Sequence, residues 1–244
     1  MKNIRLDISY VGTMYCGFQK QNNGVSIQEV LEEAIFQATG EKSTIYMSGR
    51  TDSGVHATFQ VVNFFTSTTI PAEKIYIAVN QFLPNDIRVM KSEEVDISFH
   101  ARKSAKSKTY LYRMYCGKVL SALDYERVFL VKRNINFDLL TVACKVVVGE
   151  HDFKAFMSTG SSANSTIRRI YDCHYVRQGD YVDFYITGNG FLYNMVRIIM
   201  GTILDAACGK ISFEKFKDLL AGGKRNEAGK TLPPYALYLQ NVQY

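Results

Sequence analysis

Apolar and polar residues alternate with period two over residues 4–10, Ile4-Arg5-Leu6-Asp7-Ile8-Ser9-Tyr10, which predicts a half-buried strand. The period then changes. Ser26 reads as an N-cap with Glu29 as its capping-box partner. Val30, Leu31, Ala34, Ile35 and Ala38 form the stripe of a helix that Gly40 ends. Strand-like segments follow at 44–47 and 59–66. Pro71 opens a second helix with apolar positions Ile75, Ala78, Val79 and Phe82, and Leu83-Pro84-Asn85-Asp86 breaks it. Further strands are expected at 87–90 and over the Tyr-rich residues 109–115. The first half therefore reads β-α-β-β-α-β, a split-βαβ pattern with an antiparallel sheet and helices on one face.

The second half follows a similar order. A helix is expected over 137–148, ended by Gly149, then two strands over 168–176 and 181–186 joined through Gln178-Gly179-Asp180 as a hairpin. Helices over 191–207 and 213–221 precede a flexible Gly222-Gly223-Lys224-Arg225, and the chain closes on a strand over 236–242. The expected fold class is α+β: two split-βαβ (ferredoxin-like) halves, 1–105 and 106–244, around a shared, mainly antiparallel sheet with helices on one face. The two halves share an order of elements and no sequence repeat.

Composition narrows the class of protein. With 244 residues, 47% of them hydrophobic and 21% charged, the chain has ample material for a globular core. No apolar run reaches the roughly 18 residues that span a membrane, and the N-terminus shows no cleavable leader, so a cytoplasmic location is the default. Cys16, Cys116, Cys144, Cys173 and Cys208 are scattered and form no C-x-x-C pair, and the four histidines show no metal-ligand spacing, so neither disulfide framework nor metal is expected.

Formal net charge is +6, from 29 basic and 23 acidic residues, a balance compatible with a polyanionic partner. Its distribution says more. Arg102, Lys103, Lys106 and Lys108 cluster without an intervening acid and lead into Tyr110, Tyr112 and Tyr115; Arg168 with Arg169, and Lys224 with Arg225, form further clusters. Basic groups interleaved with aromatics suit phosphate contacts and base stacking; singly, each cluster also reads as a solvated face.

Two segments carry candidate chemistry. The run Gly49-Arg50-Thr51-Asp52-Ser53-Gly54-Val55-His56-Ala57 sets a carboxylate beside a guanidinium in a turn between two strands. Its glycines allow sharp bending and close approach. Asp52 is there either a nucleophile or base held ionised, or a turn residue bonded to its own backbone. In Phe191-Leu192-Tyr193-Asn194-Met195-Val196-Arg197 the arginine stands alone in an apolar helix. Arg197 either pairs with a carboxylate such as Asp52 or with a phosphate, since burial without a partner is costly, or snorkels to the surface.

The nine-residue run from Gly49 to Ala57 closely resembles the signature loop of the tRNA pseudouridine synthase A family, differing at Ser53, where the family usually has Ala. Lys108-Thr109-Tyr110-Leu111-Tyr112 resembles the family's R/K-x-Y-x-Y strand. Residues 191–197 resemble its F-x-x-x-M-V-R block. Phe99-His100-Ala101-Arg102, His151-Asp152-Phe153, Thr231 with Pro233-Pro234, and Leu237-Tyr238-Leu239 match further blocks in order, so the likeness spans the chain. It implies Asp52 as the catalytic residue, Arg197 as its ion-pair partner, and Tyr110 as the residue stacking on the target base and a candidate base for the late proton removal. Arg50 would help displace the base, and Arg102, Lys106, Lys108 and Arg168 would contact RNA along a cleft on the open face of the sheet.

The resemblance further implies a homodimer acting as a tRNA pseudouridine(38–40) synthase on the anticodon stem-loop. Isomerisation exchanges a glycosidic C–N bond for a C–C bond without net redox change, so no cofactor is implied. Phe18 stands where the family has tryptophan, Val11 where Y-D-G has its carboxylate, and Ala236 for a common glycine. None of these touches Asp52, Arg50, Tyr110 or Arg197. Two other classes share the same residues: a non-catalytic RNA-binding protein, and a glycosylase-type hydrolase using Asp52 to activate water, for which free uracil is diagnostic.

Overall fold

Strand β1 (Lys2–Tyr10) forms where the alternation predicts it, but it is covered on both faces. Ile4, Leu6, Ile8 and Tyr10 are buried, and so are Asn3 and Asp7 on the polar side. Residues 96–101 and the Tyr244 side chain roof that side, so its polar groups are enclosed rather than solvated. The computed structural model describes residues 1–160 and 163–244. The chain divides into two units, Met1–Lys106 with Tyr238–Tyr244, and Ser107–Leu237.

In the first unit β1 is followed by α1 (Ile27–Thr39), β2 (Tyr46–Met47), β3 (His56–Thr66), α2 (Ile75–Asn80) and β4 (Ile87–Val95). Ser26 Oγ accepts from the Glu29 N–H at the start of α1, and Gly40, in the left-handed region at φ 74°, ends it by donating its N–H to the Phe36 carbonyl. Strand order β4-β1-β3-β2 is antiparallel at each pairing, the arrangement of a split βαβ. The second helix is shorter than the apolar spacing predicts, and Phe82 is exposed beyond its end. Asn80 explains the stop: its side-chain amide both donates to and accepts from the Val89 backbone on β4, as a strand partner would.

The second unit contains β5 (Ser107–Tyr115), β6 (Phe129–Leu130), α3 (Phe137–Val147), β7 (Gly149–Asp152), β8 (Ile167–Gln178), β9 (Tyr181–Gly188), α4 (Met195–Ala207) and α5 (Phe213–Leu220). Its strand order is β5-β9-β8-β7, antiparallel, with β6 parallel to β5. The β8–β9 hairpin turns at Gly179, φ 60°. Helix α4 begins at Met195 rather than near 191, because Asn194 adopts a left-handed conformation, φ 61°, that no helix continues through. Every residue of α4 except Arg197 is buried, as an all-round apolar helix should be. The last strand, β10 (Leu237–Gln243), runs parallel to β3 through Tyr238–His56 and Leu239–Ala57. All five cysteines are free thiols, Cys144 and Cys173 buried and the others partly so. Among the described residues no helix is long and apolar enough to cross a membrane.

Candidate active site

Asp52 sits in the loop between β2 and β3, and the backbone around it is clamped from two sides. The Asp52 carbonyl accepts from the Val55 N–H at 3.1 Å, closing a turn in which Gly54 takes φ 77°. Residues 12–18 form the second jaw. Phe18 N–H donates to the Thr51 carbonyl at 3.1 Å, and Ser53 Oγ donates to the Tyr15 carbonyl at 3.1 Å. Gly17, φ 110°, lies so close that a β-carbon there would stand 2.9 Å from the Thr51 carbonyl oxygen and 3.4 Å from the Asp52 carbonyl carbon. A β-carbon on Gly12 would overlap the Val55 carbonyl.

A buried polar network supports this clamp from beneath. Tyr10 and Thr51 share a hydrogen bond at 2.8 Å. Burial pushes the Tyr10 hydroxyl well above its usual range, so it stays protonated and available to donate. Gln60 donates to the Gly49 carbonyl at 2.8 Å and accepts from Ser48 Oγ. His56 Nδ1 accepts from the Gly12 N–H at 2.9 Å, which assigns the neutral ring's proton to Nε2. Thr51 and Val55 are buried on either side of a half-buried Asp52, and Arg50 is exposed. The loop is therefore rigid where it meets the core, with Arg50 in solvent. Tyr15 and Phe18 point inward and are buried; the Tyr15 hydroxyl donates to Asp86 Oδ1 at 2.8 Å.

In the second unit Tyr110 and Tyr112 project from the same face of β5. Tyr110 is almost buried and meets Phe191 edge-on, ring centroids 5.1 Å apart. Tyr112 is fully buried, its hydroxyl donating to the Pro233 carbonyl at 3.0 Å, which makes it a core residue. Arg197 is half-buried; its Nε donates to the Leu232 carbonyl at 2.7 Å, and its Nη1 to Asn194 Oδ1 at 2.6 Å. Asn194 is itself held by its bond to Ser158 Oγ at 2.9 Å. The guanidinium plane is thus set by the helix start and by the 229–232 segment, which packs on α4 at Gly201.

Arg102 and Lys106 are exposed on the segment that follows β4, and Lys108 is half-buried on β5. Arg168 is half-buried; its Nη1 donates to the Ser165 and Ile167 carbonyls, its side chain passes Gly190, and burial lowers its pKa. Among the described residues no group of His, Cys, Asp or Glu is arranged to hold a metal ion.

A family model described as tRNA pseudouridine synthase matches residues 8–102 and 143–244, stretches that hold Asp52 and Arg197 and omit Tyr110. Proteins named tRNA pseudouridine synthase A from Caldicellulosiruptor saccharolyticus, Clostridium acetobutylicum and Acetivibrio thermocellus are 46%, 45% and 44% identical over 244 residues, the full length of both chains in each case. The chain belongs to the tRNA pseudouridine synthase family. Members of this family are isomerases that convert uridine to pseudouridine in tRNA. A solved Cbf5–Nop10–Gar1 complex is similar at TM-score 0.40 and 13% identity over 97% of this chain and 48% of that one, a likeness too slight to bear on function.

Several residues that shape the synthase's site carry no local sequence signal. Tyr10 reads as the last apolar residue of β1, yet its hydroxyl braces Thr51, 41 residues away. Leu232 acts through its carbonyl, which no side chain announces. Gly12 and Gly17 are ordinary glycines in the sequence, and only the fold gives them the Asp52 loop to press against.

Proposed function

We propose that this synthase isomerises uridines at positions 38–40 in the anticodon stem-loop of tRNA, as a cytoplasmic homodimer, with Asp52 acting on the ribose of the target nucleotide. The observation that carries the reading is the clamped loop: rigid backbone on both sides of a half-buried Asp52. Such preorganisation is what a positioned nucleophile or base needs.

The target uridine leaves its stack to reach the pocket, at a cost of a few kcal/mol. Asp52 then attacks the anomeric carbon, or takes the 2′ proton as the N-glycosidic bond opens. The freed uracil turns and its C5 bonds to the anomeric carbon, as the Asp52–C1′ bond breaks in the first route or as Asp52 returns the proton to C2′ in the second; the C5 proton then departs as N1 gains one, so atoms and charge balance. Arg197 holds Asp52 ionised and oriented. Tyr110 stacks on the extruded base and serves as a base for the late proton removal. Arg50 displaces the base, and Arg102, Lys106, Lys108 and Arg168 contact RNA phosphates. The fixed guanidinium of Arg197 and the edge-on packing of Tyr110 support these roles.

The test is incubation of the protein with an unmodified tRNA transcript, followed by carbodiimide-stop mapping with Asp52→Ala in parallel. Stops at the anticodon stem-loop uridines for wild type alone are expected. Release of free uracil would identify a hydrolase instead, and binding by both proteins without stops an RNA-binding protein. Sedimentation of the unbound protein tests the dimer.

A further inference from the structure

Asn3 and Asn63 lie diagonally across the β1–β3 pairing, both almost wholly enclosed, on the face opposite α1 and α2. Two neutral amides in a core are costly unless their hydrogen-bonding capacity is met. Here every amide hydrogen is used. Asn3 Nδ2 donates to the Asp96 and Phe99 carbonyls, each at 2.9 Å. Asn63 Nδ2 donates to Asn3 Oδ1 at 2.9 Å and to the Phe99 carbonyl at 3.4 Å. Asn63 Oδ1 accepts from the Ala101 N–H at 2.8 Å. The pair thus makes four bonds to backbone groups of residues 96–101. Reversing the Asn63 amide would point an NH₂ at the Ala101 N–H, so the network fixes its orientation.

The segment held this way carries the exposed cations Arg102 and Lys103 directly, with Lys106 a few residues on. Other bonds complete the hold. Tyr244 donates its hydroxyl to the Ala101 carbonyl at 2.9 Å, and Lys106 N–H donates to the Gln243 carbonyl at 2.8 Å. Within the segment, His100 Nδ1 accepts from the Arg102 N–H, and the His100 ring packs on Tyr46 with centroids 4.8 Å apart. A loop with no regular secondary structure is thereby fixed at its backbone, while its charged side chains stay in solvent.

We infer that Asn3 and Asn63 are positioning residues for tRNA binding: they hold the 96–104 backbone so that Arg102, Lys103 and Lys106 meet the phosphate backbone as a preformed set. This rests on the reading of that loop as an RNA contact. A preformed set binds more tightly because the ordering cost is already met in the free protein.

The test uses the full chain and an unmodified tRNA transcript, with four variants: Asn63→Ala, Arg102→Ala/Lys103→Ala/Lys106→Ala, the two combined, and Tyr244→Phe. Asn63→Ala is expected to weaken tRNA binding by about five- to twentyfold, the scale of one or two buried hydrogen bonds. The single-turnover rate at saturating enzyme should stay within about twofold of wild type. The dependence of affinity on salt should flatten by roughly one to two phosphate contacts. In the triple-alanine background, Asn63→Ala should change little more.

A retained full effect in that background, or a loss of single-turnover rate with unchanged affinity, would mean that Asn63 merely supports the fold and overturns the inference. A triple-alanine variant that binds tRNA like wild type would overturn the RNA-contact reading itself, and the positioning role with it. That result comes from a protein with Asn63 intact, so the two failures are separable. If Asn63→Ala does not fold, Tyr244→Phe decides, since it keeps the ring and removes the hydroxyl that bonds the Ala101 carbonyl: about two- to fivefold weaker binding with a flatter salt slope is expected, and unchanged affinity overturns the inference.

Discussion

The Tyr10 hydroxyl and Thr51 Oγ1 stand 2.8 Å apart in the core, one residue from Asp52. The bond ties the end of β1 to the loop between β2 and β3. Tyr10→Phe keeps the ring and strands the Thr51 hydroxyl. It should cost about 1–2 kcal/mol of stability and lower the single-turnover rate more than the affinity for tRNA. Thermal melts and single-turnover kinetics on the same sample check both; an unchanged rate would show that the brace does not reach Asp52.

Gly17 is required by two separate effects. Its φ of 110° is a region that side chains rarely adopt, and its α-carbon faces the Thr51 carbonyl at a separation that a β-carbon would invade. Gly17→Ala should destabilise by about 1–3 kcal/mol and depress pseudouridine formation at temperatures well below the melt. Activity at 25 °C that matches wild type in a folded sample would contradict this.

Arg197→Lys keeps the charge but gives up the planar fork that engages Leu232 and Asn194 together. The expected result is a fall of about 10- to 100-fold in kcat/KM, equivalent to roughly 1.4–2.8 kcal/mol, with tRNA affinity little changed. Gly201→Ala should impair the same arginine indirectly: a β-carbon there would overlap the Lys230 carbonyl and displace the segment that carries Leu232. It should cost about 1–3 kcal/mol in stability, and Arg197→Lys combined with it should be less than additive in rate.

Asp7 is enclosed on the roofed face of β1, and burial raises its pKa despite Arg5 at 2.8 Å. An acid with a raised folded pKa binds its proton more tightly folded than unfolded, so folding gains as pH falls through the range above 3.8. Asp7→Asn, which can still accept from Arg5, should melt higher than wild type at pH 7, with the gap closing as pH falls through that range. A pH series of melts checks the sign; a wider gap at low pH would reverse the account.

Elements with strong local causes were legible in the sequence. The Ser26 cap, the Gly40 stop and strand β1 all formed where read, because each depends on neighbours within a turn or two. The Asp52 loop was legible through its composition and its likeness to a family motif. The brief strands β6 and β7 were not, since two to four residues show no period. Nor was the early end of α2, where Asn80 finds a partner on β4 that local propensity does not encode. The burial of Asn3 and Asp7 was hidden for the same reason: a polar residue on an alternating strand reads as solvated until the segment that covers it is known.

The jaws around Asp52 meet backbone to backbone at Gly12 and Gly17, with no side chain between them. This bears on how the site can change over generations. A defect in a side-chain contact is repairable by a neighbour that grows or shrinks to match. A defect here has no such neighbour, because what the contact requires is an empty position. A selection for revertants of Gly17→Ala should return glycine at 17 itself, rather than compensating substitutions among residues 50–55.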